Sequence, residues 1–503
     1  MTDAPSAPDA GLPGVADHPL TAARLEKLDR LRGDGVEPYP VRFDRTATTA
    51  ALHARHPDLG PGAATGEGVS VAGRVMLLRS FGKLVFATIQ DATGRIQLFV
   101  SEADLDEPAF GRFADLDIGD WVGASGEVIT TKKGELSVRV AEFVLLAKSL
   151  RPLPEKWHGL QDVEARSRRR YLDLVMSDES RRVALTRART VSELRRRFEA
   201  RGYIEVETPV LLTEAGGALA RPFVTHHHAL DQQMYLRIAT ELHLKRLIVG
   251  GFDRVFEIGR IFRNEGIDAT HNHEFTMLES YEALADYLDM LRLVEEVIPA
   301  VAEAAVGSTR IVYQGRELDL RGPYRRARMV DLVAEATGEH VDFDSPIDAA
   351  RNLARRHQID PDPRWSHGKI VEELFDALVQ PDLWEPTFVM DHPVEISPLA
   401  RRHREAPHLT ERFELFIAGS EYANAFSELN DPLDQRERFL AQARARAAGD
   451  HEAHPVDEDY LLALEYGMPP TGGLGIGVDR LVMLLTDRHH IREVILFPTM
   501  RPE

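Results

Sequence analysis

Hydrophobic and polar positions follow two different periods in two regions of the chain. From Val69 the small or apolar positions fall on every second residue, at Val69, Val71, Gly73, Val75 and Leu77. The alternation returns at Ile96, Leu98 and Val100 and again at Leu136, Val138 and Val140. A period of two sends neighbouring side chains to opposite faces of a strand, so these segments predict half-buried strands. Asp91 to Gly94 and Lys132 to Gly134 supply turns, and residues 69–148 read as a compact antiparallel barrel of about five strands. If Val85, Ala87 and Ile89 point inward, then Phe86, Gln97, Phe99, Glu135 and Arg139 point away from the core.

A short helix is predicted from Leu20 to Gly33, preceded by a flexible tail, residues 1–23, rich in Ala, Pro, Gly and Asp. RPLPEKWHGLQDVEA has no clear period and opens a linker, residues 151–170. Beyond it, Asp178 is placed to cap a helix carrying Val191, Leu194 and Phe198 at helical spacing and stopping at Gly202. YIEVETPVL reads as a strand interrupted by Pro209, and RVFEIGRIF, TFVMDH and RFELFIAG as further strands. Helices are predicted from Tyr281 to Ala305 and from Ser345 to His357, with Ser345 as N-cap and Pro346 at the first helical position. Residues 322–382 have their own helical period and read as an insertion.

Composition narrows this picture. A length of 503 residues with 43% hydrophobic and 28% charged positions describes a multidomain globular protein and excludes a collagen or a wholly disordered chain. The net charge of −20 argues against binding nucleic acid with the whole surface, but arginines cluster at Arg166, Arg168, Arg169 and Arg170 and between Arg187 and Arg201. No cysteine is present, so any metal is held by oxygen or imidazole. No apolar run approaches the roughly 18 residues that span a bilayer, and the start lacks a signal-peptide pattern, which predicts a cytoplasmic protein without a membrane partner.

Two segments are dense in chemistry. FRNEGIDATHNHEFT places Arg263 and Glu265 just past a strand, then His271, Glu274 and Phe275 after a Gly-containing loop. A guanidinium there can hold a phosphate or carboxylate, and the aromatic can stack a purine. GGLGIGVDRLVMLL lets a strand and a helix approach closely and starts that helix near Arg480. It matches neither the phosphate-binding nor the dinucleotide-binding glycine pattern.

With SRRVALTRARTVSELRRRFEARGYIEVETPVL, these segments resemble the three motifs of class II aminoacyl-tRNA synthetases. The stretches GGALARPFVTHHHALDQQMYLRIATELHLKRLIVGGFDRVFEIGRIFRNEG, NAFSELNDPLDQRERF and LFPTMRP are similar to the lysyl type, and the likeness runs over residues 24–503. The resemblance implies an α+β chain: an N-terminal OB-fold barrel for anticodon binding within residues 24–150, and a class II antiparallel-sheet catalytic domain over 171–503 with a helical insertion. It further implies ATP-dependent joining of L-lysine to tRNA-Lys through an enzyme-bound lysyl-adenylate, by a homodimer using Mg²⁺.

By the same resemblance Arg263 meets the α-phosphate and the lysine carboxylate, Glu265 and Phe275 the adenine, His271 the terminal phosphates and Arg480 the γ-phosphate. Glu414 and Glu421 match Mg²⁺ ligands, Glu414 also bordering ATP. Gly216, Glu241, Glu279, Tyr281, Asn424, Phe426 and Glu428 match the lysine pocket, with Glu241 for the α-amino group and Glu428, Tyr281 and Glu279 for the ε-ammonium. Carboxylates are the partners that a buried ammonium needs. Phe86, Gln97 and Glu135 match residues that read the anticodon, whose unpaired bases stack and offer their edges.

The chain departs from the family at His273, where a proline is usual, and at Tyr422, where an aliphatic residue is common. His273 leaves the loop more mobile or touches phosphate, and Tyr422 alters lysine affinity. His226, His227 and His228 alternate across a strand and are not expected to bind metal, and His451 and His454 are expected at the surface. Two other functions compete: an amino-acid ligase with a protein or lipid acceptor, and a non-enzymatic paralogue that binds tRNA. The barrel and the absence of an apolar span oppose the first, and Arg263, Glu414, Glu421 and Arg480 the second.

Overall fold

A computed structural model describes residues 19–154, 162–214, 216–218, 220–447 and 456–501. The expected tail up to residue 18 and the positions His451 and His454 lie outside the described residues, whereas residues 19–23, expected to close that tail, are helical. Those described form two compact units, one within residues 1–160 and the other within 161–503.

In the first unit, helix α1 (Pro19–Gly33) precedes strands β1 (Ala64–Phe81), β2 (Leu84–Gln90), β3 (Arg95–Ser101), β4 (Trp121–Thr130) and β5 (Leu136–Ala147). They close into a barrel in the order β1-β2-β3-β5-β4. Val85, Ala87, Ile89, Leu98, Val100, Val138 and Val140 fill its interior, so the period-two pattern marks the inner face. Arg24 of α1 is buried and donates to the carbonyls of Ile118 and Arg151, both at 2.9 Å. Carbonyl partners satisfy a guanidinium that would otherwise be costly to bury.

The second unit is built on an eight-stranded sheet. Its strands are β6 (Ile204–Glu205), β7 (Arg254–Phe262), β8 (Glu274–Ala283), β9 (Arg325–Arg328), β10 (Thr387–Met390), β11 (Arg412–Ile417), β12 (Ser420–Ser427) and β13 (Thr471–Gly477). They lie in the order β9-β10-β11-β12-β13-β8-β7-β6, antiparallel except for the pairs β6–β7 and β9–β10. A parallel pair needs a crossover. The expected insertion supplies it: helices Met329–Thr337, Ile347–Arg356 and His367–Leu378 pack on their own core around Leu353, Ile370 and Phe375. Its opening residues are not separate, because β9 belongs to the main sheet.

Helices α2 (Asp178–Glu199), α3 (Glu241–Val249), α4 (Tyr287–Val306) and α5 (Val478–Thr486) position the site. The N-cap of α2 is Ser177, whose Oγ accepts from Ser180 N at 3.1 Å; Asp178, expected as the cap, sits in the first turn, where a negative charge suits the helix dipole. Leu194 and Phe198 are buried as their spacing requires. Helix α4 starts six residues later than expected, because Tyr281 to Ala283 complete β8 and Asp286 forms a capping box with Asp289. Ser345 likewise does not cap its helix; Pro346 is the N-cap. The strand expected around Pro209 is reduced to Ile204–Glu205 and Leu211–Leu212, while Thr208 N and Oγ1 donate to Glu257 at 3.0 and 2.7 Å. Helix Val163–Arg168, capped by Asp162, occupies the second half of the expected linker, and helix Arg170–Met176 begins at its last residue.

Candidate active site

Register brings the pocket residues together. On the adjacent strands β12, β13 and β8, Phe426 pairs with Gly473 and Gly473 with Tyr281, while Asn424 pairs with Gly475 and Gly475 with Glu279. The middle strand carries only glycine in these two rows, leaving a trough between flanking side chains. The requirement is strictest at Gly473, where a Cβ would stand 1.9 Å from Glu428 Oε1 and 2.7 Å from Tyr281 Cε1. Over the trough lies a cavity of about 420 Å³.

One end of the cavity is acidic. Glu241, Glu279 and Glu428 are all buried there. Burial, reinforced by the charge of Glu241, pushes Glu279 up to about 7. Its Oε1 accepts from Thr240 N at 3.1 Å and its Oε2 from the Tyr281 hydroxyl at 3.5 Å. Burial also holds Glu428 well above the usual carboxylate range, partly offset by Lys245. Lys245 enters from α3, its Nζ 2.5 Å from Glu241 Oε1 and ion-paired with Glu428.

The other end is basic and mixed. Arg263 lies 5.1 Å over the Phe275 ring, and burial lowers its pKa. Arg480 donates to the Glu421 carbonyl at 2.9 Å and to His271 Nε2 at 2.9 Å. A guanidinium can only donate, so His271 Nε2 accepts and its ring proton sits on Nδ1, 2.8 Å from Asp268 Oδ2. Although burial works to raise Asp268, hydrogen bonds from the His271 ring and from the Thr270 and His271 backbone hold it at about 2. Glu265 is exposed and accepts from Arg221 N at 3.3 Å. Glu414 and Glu421 also line this end, with Arg412 2.6 Å from Glu414. Burial, opposed by Arg412 and reinforced by Glu421, pushes Glu414 up to about 8.

Thus the residues expected for ATP, lysine and Mg²⁺ line one cavity except Gly216, which packs toward Leu242, while Gly217 and Ala218 form the wall instead. Of the two departures, Tyr422 is buried in the main core and borders the cavity. His273 turns away from it, with Nε2 3.1 Å from Thr499 Oγ1 and its ring against Phe223. Among the described residues no group of three His, Asp or Glu side chains is arranged around a common metal position.

Comparison with known proteins gives the family. Residues 162–501 match the family model described as tRNA synthetases class II (D, K and N), and residues 69–146 match an OB-fold nucleic acid binding domain. A lysine–tRNA ligase of Prochlorococcus marinus (strain MIT 9303) is 56% identical over 494 residues, covering 96% of this chain and 97% of the relative. Those of Moorella thermoacetica and Enterococcus faecalis (strain ATCC 700802 / V583) are 54% and 52% identical, covering 97% and 95% of this chain and 99% and 96% of theirs. The chain belongs to the lysine–tRNA ligase family of class II tRNA synthetases.

In this class II chain the barrel face holds the three expected anticodon residues at different depths. Phe86 is half-buried, edge to face with Phe99 at 5.4 Å and Phe81 at 6.1 Å. Glu135 is exposed. Gln97 lies on the same face as Phe99, yet its amide is buried and donates to Ser137 Oγ at 2.9 Å, because Ser137 is its cross-strand neighbour. The arginine clusters of the ligase are largely paired inside its own fold: Arg166 and Arg170 with Asp173, Arg195 with Glu205, and Arg196 and Arg197 with Glu193.

Sequence reasoning missed Lys245, Asp268, Gly217 and the network of Arg187. From α2, Arg187 donates to Asp479 Oδ1 at 2.6 Å and to Thr276 Oγ1 at 2.8 Å, joining all three family motifs. In the sequence it is one arginine among many. Glu241 and Lys245 are spaced like an exposed i, i+4 pair, and nothing local distinguishes their burial.

Proposed function

We propose that the cavity activates L-lysine with ATP and that the chain then transfers the lysyl group to tRNA-Lys in cytoplasmic translation. The observation that carries this reading is the polarity of the cavity: Glu241, Glu279 and Glu428 at one end, Arg263 and Arg480 at the other. Lysine offers two ammonium groups to the first and one carboxylate to the second. ATP lies across the Arg263, Phe275 and Arg480 end, with Glu265 and Phe275 on adenine and His271 near the terminal phosphates.

The lysine carboxylate attacks the α-phosphorus, a new C–O–P bond forms, and the bond to pyrophosphate breaks. Negative charge builds on the α-phosphate oxygens, where Arg263 is fixed in advance by its stacking on Phe275. Arg480, held by Glu421 and His271, neutralises the departing phosphates. A hydroxyl of the tRNA terminal ribose then attacks the adenylate carbonyl and AMP leaves. No protein nucleophile is needed.

Glu414 and Glu421 suit Mg²⁺: they are hard oxygen ligands, and burial together with the neighbouring charge of Glu421 raises Glu414 against the pull of Arg412, which a cation would relieve. Mg²⁺ bound there supplies neutralisation of phosphate charge. The homodimer belongs to the same reading, supported by exposed apolar side chains on α2 and the short strands after it, Leu185, Ile204 and Leu211.

The test is ATP–pyrophosphate exchange with each of the twenty amino acids, followed by tRNA-Lys charging in the same preparation. Exchange confined to lysine, with charging, is expected. Exchange without charging moves the acceptor elsewhere, and no exchange removes the activation step.

A further inference from the structure

Lys245 has no role in the mechanism above, yet it is completely enclosed at the acidic end of the cavity. Its Nζ stands 2.5 Å from Glu241 Oε1 and is ion-paired with Glu428 Oε2, and it faces the rings of Phe426, Tyr281 and Tyr460 at 5.4, 5.9 and 5.9 Å. Glu428 Oε1 is buried without a hydrogen-bond partner, in the space that Gly473 leaves for it. Arg412 lies between the two ends, donating to Glu414 at 2.6 Å and to Asn424 Oδ1 at 3.2 Å.

The charges of this group do not balance. Glu241 and Glu428 share the one ammonium of Lys245, while Glu279 is hydrogen-bonded to Thr240 and Tyr281, so three carboxyl groups surround a single enclosed ammonium. Free lysine carries two ammonium groups, and its carboxylate is taken by Arg263. We propose that Lys245 is a specificity-determining positioning residue: its ammonium ties Glu241 to Glu428, reduces the pocket's charge to match a diamino acid, and leaves Glu428 Oε1 for the substrate's side-chain ammonium. This rests on the reading of the cavity as the lysine site. Two carboxylates that share one Nζ are too close for both to stay ionised once the cation between them is removed, and a protonated carboxyl no longer attracts an ammonium.

The experiment is lysine-dependent ATP–pyrophosphate exchange on the full chain with Lys245→Met, Glu241→Gln, the double variant and Glu428→Gln. Lys245→Met alone raises the lysine KM about tenfold or more and leaves the ATP KM within about twofold. In the Glu241→Gln background the sign reverses. There Lys245 has only Glu428 left and competes with the substrate for it, so adding Lys245→Met lowers the lysine KM by about threefold or more.

Equal effects of Lys245→Met in the two backgrounds, or equal effects on lysine and ATP, overturn the proposal. The double variant loses one charge of each sign, so it still decides the question where Lys245→Met alone does not fold. If Glu428→Gln raises the lysine KM and Lys245→Met does not, only the role of Lys245 fails. If Glu428→Gln leaves the lysine KM unchanged, the lysine site itself is misplaced.

Discussion

At Gly473 the strand β13 dispenses with a side chain so that the Glu428 carboxylate can lie against Tyr281. The chemistry of the site depends on such single positions. Glu428→Gln is expected to raise the lysine KM roughly a hundredfold, about 3 kcal/mol, with little change for ATP, since it removes one partner of a buried charge pair. Gly473→Ala should reproduce that split without altering any charged group, because the new methyl displaces the carboxylate. Steady-state exchange kinetics check both, and equal losses for lysine and ATP would contradict the assignment.

Glu279, pushed up to about 7 by burial and then by Glu241, makes lysine binding depend on pH. In the free protein the folded state holds this proton more tightly than an ordinary glutamate near 4.5. The stability it contributes is therefore complete below about 4.5 and is lost as pH rises through about 7. An ammonium beside Glu279 favours its charged form, so lysine binding expels a proton. Calorimetry in two buffers of different ionisation enthalpy should find proton release at pH 6 that fades by about pH 8 and disappears in Glu279→Gln.

Elements hold these residues where local propensity alone would not. Helix α2 is tied to β8 and α5 by Arg187, through Thr276 and Asp479, so one guanidinium joins the three family motifs. The antiparallel ladder of β7, β8, β13 and β12 sets the rows of the pocket. In the barrel, β2 and β3 present Phe86 beside Phe99 on the outer face. Phe86→Ala should weaken tRNA-Lys charging by about 1–3 kcal/mol, the scale of one stacked base, and leave tRNA-free exchange intact. Loss of both activities would show that the barrel face is not the anticodon reader. Gln97→Ala is expected to act partly through Ser137, since their hydrogen bond already occupies the amide.

For the whole molecule, the homodimer is the assembly to test. Leu185, Ile204 and Leu211 are about half exposed, at 52%, 52% and 47%. Exposed apolar side chains of this size suit burial against a second copy. Sedimentation should give twice the 56.3 kDa chain mass, and Ile204→Asp should shift the protein toward monomer with loss of exchange activity. A fully active monomer would separate catalysis from assembly.

The sequence by itself determined the barrel, the two glycine-bearing and arginine-bearing motifs, the insertion and most of the charged and aromatic residues that line the cavity. Period-two alternation and the order of motifs are local signals, and backbone geometry turns them into elements directly. Element ends were legible only to within a few residues: Ser177 rather than Asp178 caps α2, and α4 begins after Asp286, because each end depends on which side chain reaches a free backbone N–H. Tertiary structure alone decided which charges face one another. Lys245 and Glu241, a surface pair by spacing, are enclosed because Glu428 arrives from just past the end of β12 and Tyr460 from helix Glu458–Glu465. The arginine clusters, a possible basic face by composition, are largely consumed by carboxylates within the same unit. Burial and charge pairing are sums over residues distant in the chain, so no window of sequence contains them.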